Sequence, residues 1–187
     1  MILACITLPV SATGGETAGR ARDYAFSVYG GSQTDSNWHQ SLTGQGDLVN
    51  AHLVVVALSR TLRRGADLSR TLEVEGNVAR HYGDQHHWEL NALTSARWHR
   101  FRWNDRLATT VAFGIGPSYA TVRPPAEVTR EGTSRRLLVY WQLELTLGPP
   151  RGGWATMVRL HHRSPAYGLF GGAGGGNALT AGLRLFF

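Results

Sequence analysis

The run Arg159-Leu-His-His-Arg-Ser164 holds the side chains of this sequence best suited to chemistry. Read as a strand from Trp154, one face carries Trp154, Thr156, Val158, Leu160, His162 and Ser164. His162 and Ser164 are then i and i+2 on that face, near enough for an imidazole to reach a hydroxyl. Such a pair can supply a nucleophile and its general base. The base needs a third group to orient it, and in serine hydrolases that group is a carboxylate. No acid follows Ser164 in this sequence, and the residue on the matching face of the next segment is Asn177. An asparagine can hold a histidine in place, but it cannot stabilise the imidazolium as a carboxylate does. His161 falls on the opposite face with Arg159 and Met157 and reads as an interior hydrogen-bonding residue.

Two other groups of residues carry weaker signals. His81, His86 and His87 gather near one loop, where Asp84 is the one acid of the 82–86 connection and no cysteine is near, so the expectation is a wet rim and no metal. The segment Pro165–Gly176 is rich in glycine but opens no helix, which argues against a phosphate cradle. Its Tyr167, Leu169 and Phe170 suit either a mobile lip or a plain hairpin. Cys5 is the sole cysteine, so there is no internal disulfide. No cofactor is expected.

The elements that must position these residues are strands. Eight candidates stand at roughly 23–31, 50–62, 71–82, 86–100, 107–120, 135–147, 153–164 and 177–187. The last one alternates cleanly: Leu179, Ala181, Leu183, Leu185 and Phe187 on one face, Thr180, Gly182 and Arg184 on the other. In the sixth, Leu137, Val139, Trp141, Leu143, Leu145 and Leu147 oppose Tyr140, Gln142, Glu144 and Thr146. In the fourth, Trp88 and Trp98 bracket an apolar face, as at the edges of a membrane. The fifth sets Ala108, Thr110, Ala112, Gly114 and Gly116 inward, which makes room in a narrow lumen. The second, Leu53–Leu58, is apolar on both faces and fits less well.

The polar faces decide between two architectures. They hold Glu73, Glu75, Glu89 and Glu144 with Arg97, Arg159 and Arg184. A soluble sandwich would bury its apolar face and wet the polar one, whereas a small membrane barrel fills its lumen with paired charges. The expectation is an eight-stranded antiparallel up-and-down transmembrane β-barrel over 23–187. Short turns near 63–70, 101–106 and 148–152 alternate with longer loops at 32–49, 121–134 and 165–176, the 82–86 connection excepted; this is the barrel norm.

Composition agrees. The chain has 187 residues, enough for one closed sheet of modest size. No apolar run reaches the roughly 20 residues of a membrane helix. The formal net charge of +6 rests on arginine alone, since there is no lysine. The arginines are scattered rather than clustered on a helix, which argues against nucleic acid; their forks would suit lipid phosphate, but genomic base composition is the first reading of an all-arginine usage. Residues 1–14 resemble the tail of a secretory signal, with an apolar stretch ahead of Val10-Ser11-Ala12 but no positive leader.

A strand ending on Phe187 resembles the assembly signal of bacterial outer-membrane barrels. It implies handling by the barrel-assembly machinery. The His162-Arg163-Ser164 motif late in the seventh strand resembles that of the lipid A 3-O-deacylases, eight-stranded barrels whose catalytic residues lie on the barrel exterior. The length, strand count, small-residue fifth strand and aromatic end agree over most of the chain. The resemblance implies a bacterial outer-membrane site, ester hydrolysis on lipopolysaccharide, and catalysis by Ser164 and His162 with Asn177 as the orienting group. The family's acid is a glutamate at the start of the eighth strand, where this chain has Gly174-Gly-Gly-Asn177. The family's asparagine after the serine is here Pro165. An active esterase and a barrel with altered or lost activity, serving surface stability or adhesion, both stay open. So does the oligomeric state, a homodimer included.

Overall fold

The computed structural model describes residues 22–166, 168, 170 and 173–187. The signal-like segment 1–14, Cys5, Tyr167 and Leu169 lie outside the described residues. Eight antiparallel strands close into a barrel in sequence order: β1 (Tyr24–Thr34), β2 (Leu48–Arg64), β3 (Arg70–Gly83), β4 (Trp88–Trp98), β5 (Ala108–Ala120), β6 (Leu137–Gly148), β7 (Trp154–Ser164) and β8 (Gly176–Phe186). β1 pairs with β8 from Ala25↔Phe186 to Thr34↔Asn177, so no sheet edge is left open.

The alternation in the sequence translates directly into two faces. Val54, Val56, Leu58, Leu90, Phe113, Ile115, Val158, Leu183 and Leu185 stand exposed on the outside. A soluble protein does not leave so continuous an apolar band in water. Trp88 and Trp98 mark its two edges. Ten residue steps at about 3.3 Å, tilted by about 40°, span about 25 Å, the height of a bilayer band. Arginines lie over the ring faces at both edges: Arg80 on Trp88 at 5.3 Å and Arg136 on Tyr119 at 4.8 Å at one, Arg70 on Trp98 at 5.8 Å and Arg60 on Tyr24 at 5.6 Å at the other. The phenyl ring of Phe187 stacks on Tyr24 at 5.9 Å, which ties the last residue to the first strand.

The lumen is filled, not open. Arg159 donates to both oxygens of Glu75 at 2.7 and 3.0 Å, to Glu144 at 2.9 Å and to the Tyr29 hydroxyl at 2.7 Å. Arg97 bridges Glu73 at 2.9 Å and Glu144 at 2.6 Å, and Arg184 reaches Glu73 at 2.8 Å. All six are buried. The doubly apolar second strand finds its place beside this network: inward Leu53, Val55 and Ala57 pack with Tyr29, Ala79, Met157 and Ala178 as a small apolar core inside the barrel.

Two short helices fall in loops that strand periodicity could not resolve. α1 (Trp38–Thr43) is opened by an Asn37 capping box with Gln40 and closed by Gly44 at φ 71°. α2 (Pro125–Glu131) starts on a proline and ends at Gly132, φ 75°. The first leans on the outside of β7 and β8, and the second caps the lumen through buried Glu127.

Candidate functional site on the outer wall

Strand register brings two of the three expected site residues, His162 and Asn177, into contact. His162 on β7 is the cross-strand partner of Asn177 on β8 and of Trp141 on β6, and Ser164 lies opposite Val139. His162 Nδ1 and Asn177 Oδ1 are 2.6 Å apart. Asn177 Nδ2 donates to the carbonyl of Ser36 at 2.7 Å, a residue 141 positions away. That second bond settles the chemistry of the first. A carbonyl can only accept, so the amide nitrogen must face Ser36 and the amide oxygen must face His162. His162 Nδ1 therefore carries the proton, and Nε2 keeps its lone pair. This is the tautomer a general base needs.

The rest of the surroundings hold this arrangement in place. Asn177 is only 5% exposed although it sits on the outer face, because the segment that enters α1 covers it. The His162 ring lies against Trp141 at 4.3 Å, and Trp38 of α1 meets Trp141 edge-on at 5.9 Å. Ser164 follows at i+2, about 7 Å along the strand. Among the described residues no hydrogen bond joins His162 to Ser164; such contacts tighten when substrate binds. A cavity of about 210 Å³ opens here, lined by Ser36, Trp38, Arg130, His162, Ser164 and Asn177 among others.

The glycines before Asn177 are structural. Gly175 has φ +113°, and a Cβ there would lie 2.2 Å from the Arg163 carbonyl. Its amide donates to Glu127 at 3.0 Å and its carbonyl accepts from Arg130. Glu127 also receives Arg163 Nη1 and the Ser134 hydroxyl, each at 2.5 Å. The luminal neighbour of His162 and Ser164 thus anchors the cap that delivers β8. Sequence reading missed Ser36, Trp38, Glu127 and Arg130. The Asn37-x-x-Gln40 cap and the Pro125-Ala-Glu127 start could have announced both helices. Phe170 lines a larger basic cavity of about 660 Å³ with Arg123, Arg135 and Arg136, beside the same loop.

His161 points inward as expected and bonds Glu89 Oε1 through Nε2 at 2.8 Å. The wet-rim expectation holds for exposed His86 but needs correction for the other two. His81 and His87 are not at a wet rim: each is 2% exposed in the lumen, their rings stacked at 4.2 Å. Burial, with His81 beside it, pushes the His87 imidazole down to about 3. Asp84, the acid near them in sequence, instead accepts from Asn50 at 2.8 Å. The acid that joins His81 is Glu89, at 3.0 Å.

The fold and the site define a class: an eight-stranded barrel of the outer-membrane type with polar groups gathered on its outer wall. The solved structures agree with the fold. The chain is similar to the outer membrane enzyme PagL, with TM-score 0.61 and 14% identity, over 87% of this chain and 98% of that one. It is also similar to Neisserial surface protein A, NspA, with TM-score 0.53 and 8% identity, over 89% of this chain and 98% of that one. The sequence matches no protein-family model and no curated protein.

Proposed function

We propose that this protein is a serine ester hydrolase of the bacterial outer membrane, acting on lipid A or a related acylated lipid in the outer leaflet. The observation that carries this reading is the amide of Asn177, held by the Ser36 carbonyl so that its oxygen faces His162 Nδ1. Ser164 Oγ attacks the acyl carbonyl while His162 Nε2 takes its proton. The alkoxide of the lipid leaves with that proton, and the acyl group rests on Ser164. Water, deprotonated by the same nitrogen, releases the fatty acid and restores the serine. Asn177 orients the ring through both steps but adds no charge to the imidazolium, so the expected rate lies well below that of a triad with a carboxylate. The basic rim around Arg123, Arg130, Arg135 and Arg136 suits the phosphates of such a lipid.

The amide in place of an acid, with Pro165 after the serine, favours a second reading: a non-enzymatic barrel that serves surface stability or adhesion. Mass spectrometry of lipid A from expressing cells separates the two. Loss of one hydroxyacyl chain with the native protein, but not with Ser164→Ala, supports hydrolysis. Unchanged lipid A in both strains supports the second reading.

A further inference from the structure

The lumen holds a second group of histidines that the outer-wall chemistry does not use. His81 on β3, His87 just ahead of β4 and Glu89 on β4 each present a ligand-type atom within 4.8 Å of the other two. All three are buried. His87 stands out among them, for neither of its ring nitrogens has a hydrogen-bond partner among the described residues. A buried imidazole without any partner is costly, and native interiors rarely keep one.

We propose that His81, His87 and Glu89 bind a divalent transition-metal ion at the outer end of the lumen. Two imidazoles and a carboxylate form a ligand set with an affinity for zinc and its neighbours rather than for magnesium or calcium. The charge that the ion needs is present in Glu89, which is held by His81, His161 and the Asn91 amide and has no arginine in short contact among the described residues. Arg163, the nearest cation, lies 3.8 Å from Glu89 but gives its short contact, 2.5 Å, to Glu127. The surrounding residues supply the outer support such ligands require. His161 holds the second oxygen of Glu89 at 2.8 Å. The Gln85 amide sits 3.0 Å from His81 Nδ1, and its Oε1 is buried without a partner among the described residues. Turning that amide over puts Oε1 on a protonated Nδ1, which frees His81 Nε2 for the ion and satisfies the orphaned oxygen. The His81 and His87 rings are parallel within 7°, so a shared ion requires one of them to rotate. His87 is the one no hydrogen bond restrains.

The site lies on the opposite side of the wall from Ser164, so its test does not use ester hydrolysis. The full-length, untagged protein is folded in detergent, stripped with a chelator and titrated with Zn²⁺ and with Co²⁺. The expected result is one ion per barrel, a ligand-field spectrum of low-coordinate Co²⁺, and no competition from Mg²⁺. His86→Ala, which removes an exposed neighbour, should bind as the native protein does. His87→Ala should weaken binding about tenfold or more, with heat-shifted gel mobility confirming that it folds. Equal binding by His87→Ala overturns the proposal. So does a native protein that takes up no ion or gives the spectrum of hydrated Co²⁺, a readout that stands even if the variant does not fold.

Discussion

His161 and His162 are neighbours in the chain and face opposite sides of one wall, and each is held by a different kind of partner. Inside, His161 bonds a carboxylate, Glu89, in a lumen where the acids are matched by arginines or imidazoles. Outside, His162 bonds an amide, Asn177, at the edge of the lipid-facing surface. A carboxylate on the outer wall must be shielded from hydrocarbon by its surroundings, whereas the lumen supplies counter-charges from every strand around it. The difference teaches where this barrel keeps its charge. The inner wall is an ionic core, whereas the outer wall keeps its arginines at the aromatic edges and holds His162 by a neutral hydrogen bond.

The largest effect expected from breaking that contrast lies inside. Glu144 accepts from both Arg97 and Arg159, so Glu144→Gln leaves two buried guanidiniums short of a counter-charge. Stability should fall by about 3–5 kcal/mol, read as a lower urea midpoint in lipid vesicles, while the folded fraction keeps the proposed lipid A deacylation. Loss of activity without loss of stability would show that the two walls are coupled.

Bringing charge to the outer wall is the next test. Asn177→Glu supplies the missing anion but cannot donate to the Ser36 carbonyl. The added charge outweighs that lost hydrogen bond, because loss of the acid costs serine hydrolases about 10⁴ in rate. Deacylation should rise about tenfold or more, and Ser164→Ala in the same background should remove the gain. If neither change alters lipid A, His162 and Ser164 are interface polar residues and the hydrolase reading fails.

A smaller effect is expected at the cover of the site. Trp38→Ala removes the edge-on contact with Trp141, worth about 0.5–1.5 kcal/mol. The cost should appear as a looser α1 in hydrogen exchange and a reduced deacylation rate, with the urea midpoint of the barrel unchanged.

The smallest concerns His99, in the turn after β4. Burial, together with the nearby Arg97 charge, pushes its imidazole down to about 4 from an ordinary value near 6.5. Below pH 6.5 the unfolded chain binds a proton that the folded chain refuses, so stability falls as pH drops toward 4. His99→Gln should flatten the urea midpoint across that window relative to the native protein. An identical slope in both proteins would show that His99 contributes nothing to it.

Much of this was legible in the alternation. Glu73, Glu75, Glu89 and Glu144 and their arginines all stand inside as their positions in the strands require, because a strand has a period of two and the wall has two sides. The second strand looked anomalous only because a lumen can hold a small apolar core beside its ion pairs, and that depends on which residues of β1, β3, β7 and β8 face it.

Sequence alone therefore determined the barrel, its inward and outward sets, and the shared face of His162, Ser164 and Asn177. Tertiary structure alone decided what those residues meet. The Ser36 carbonyl that turns the Asn177 amide arrives from 141 residues away, because β1 closes the barrel against β8. Glu89 joins His81 and His161 across strands β3, β4 and β7, while Asp84, nearer to His81 in sequence, bonds to Asn50. Periodicity assigns each residue a side of the wall, but the closure and stagger of the sheet choose its neighbours there.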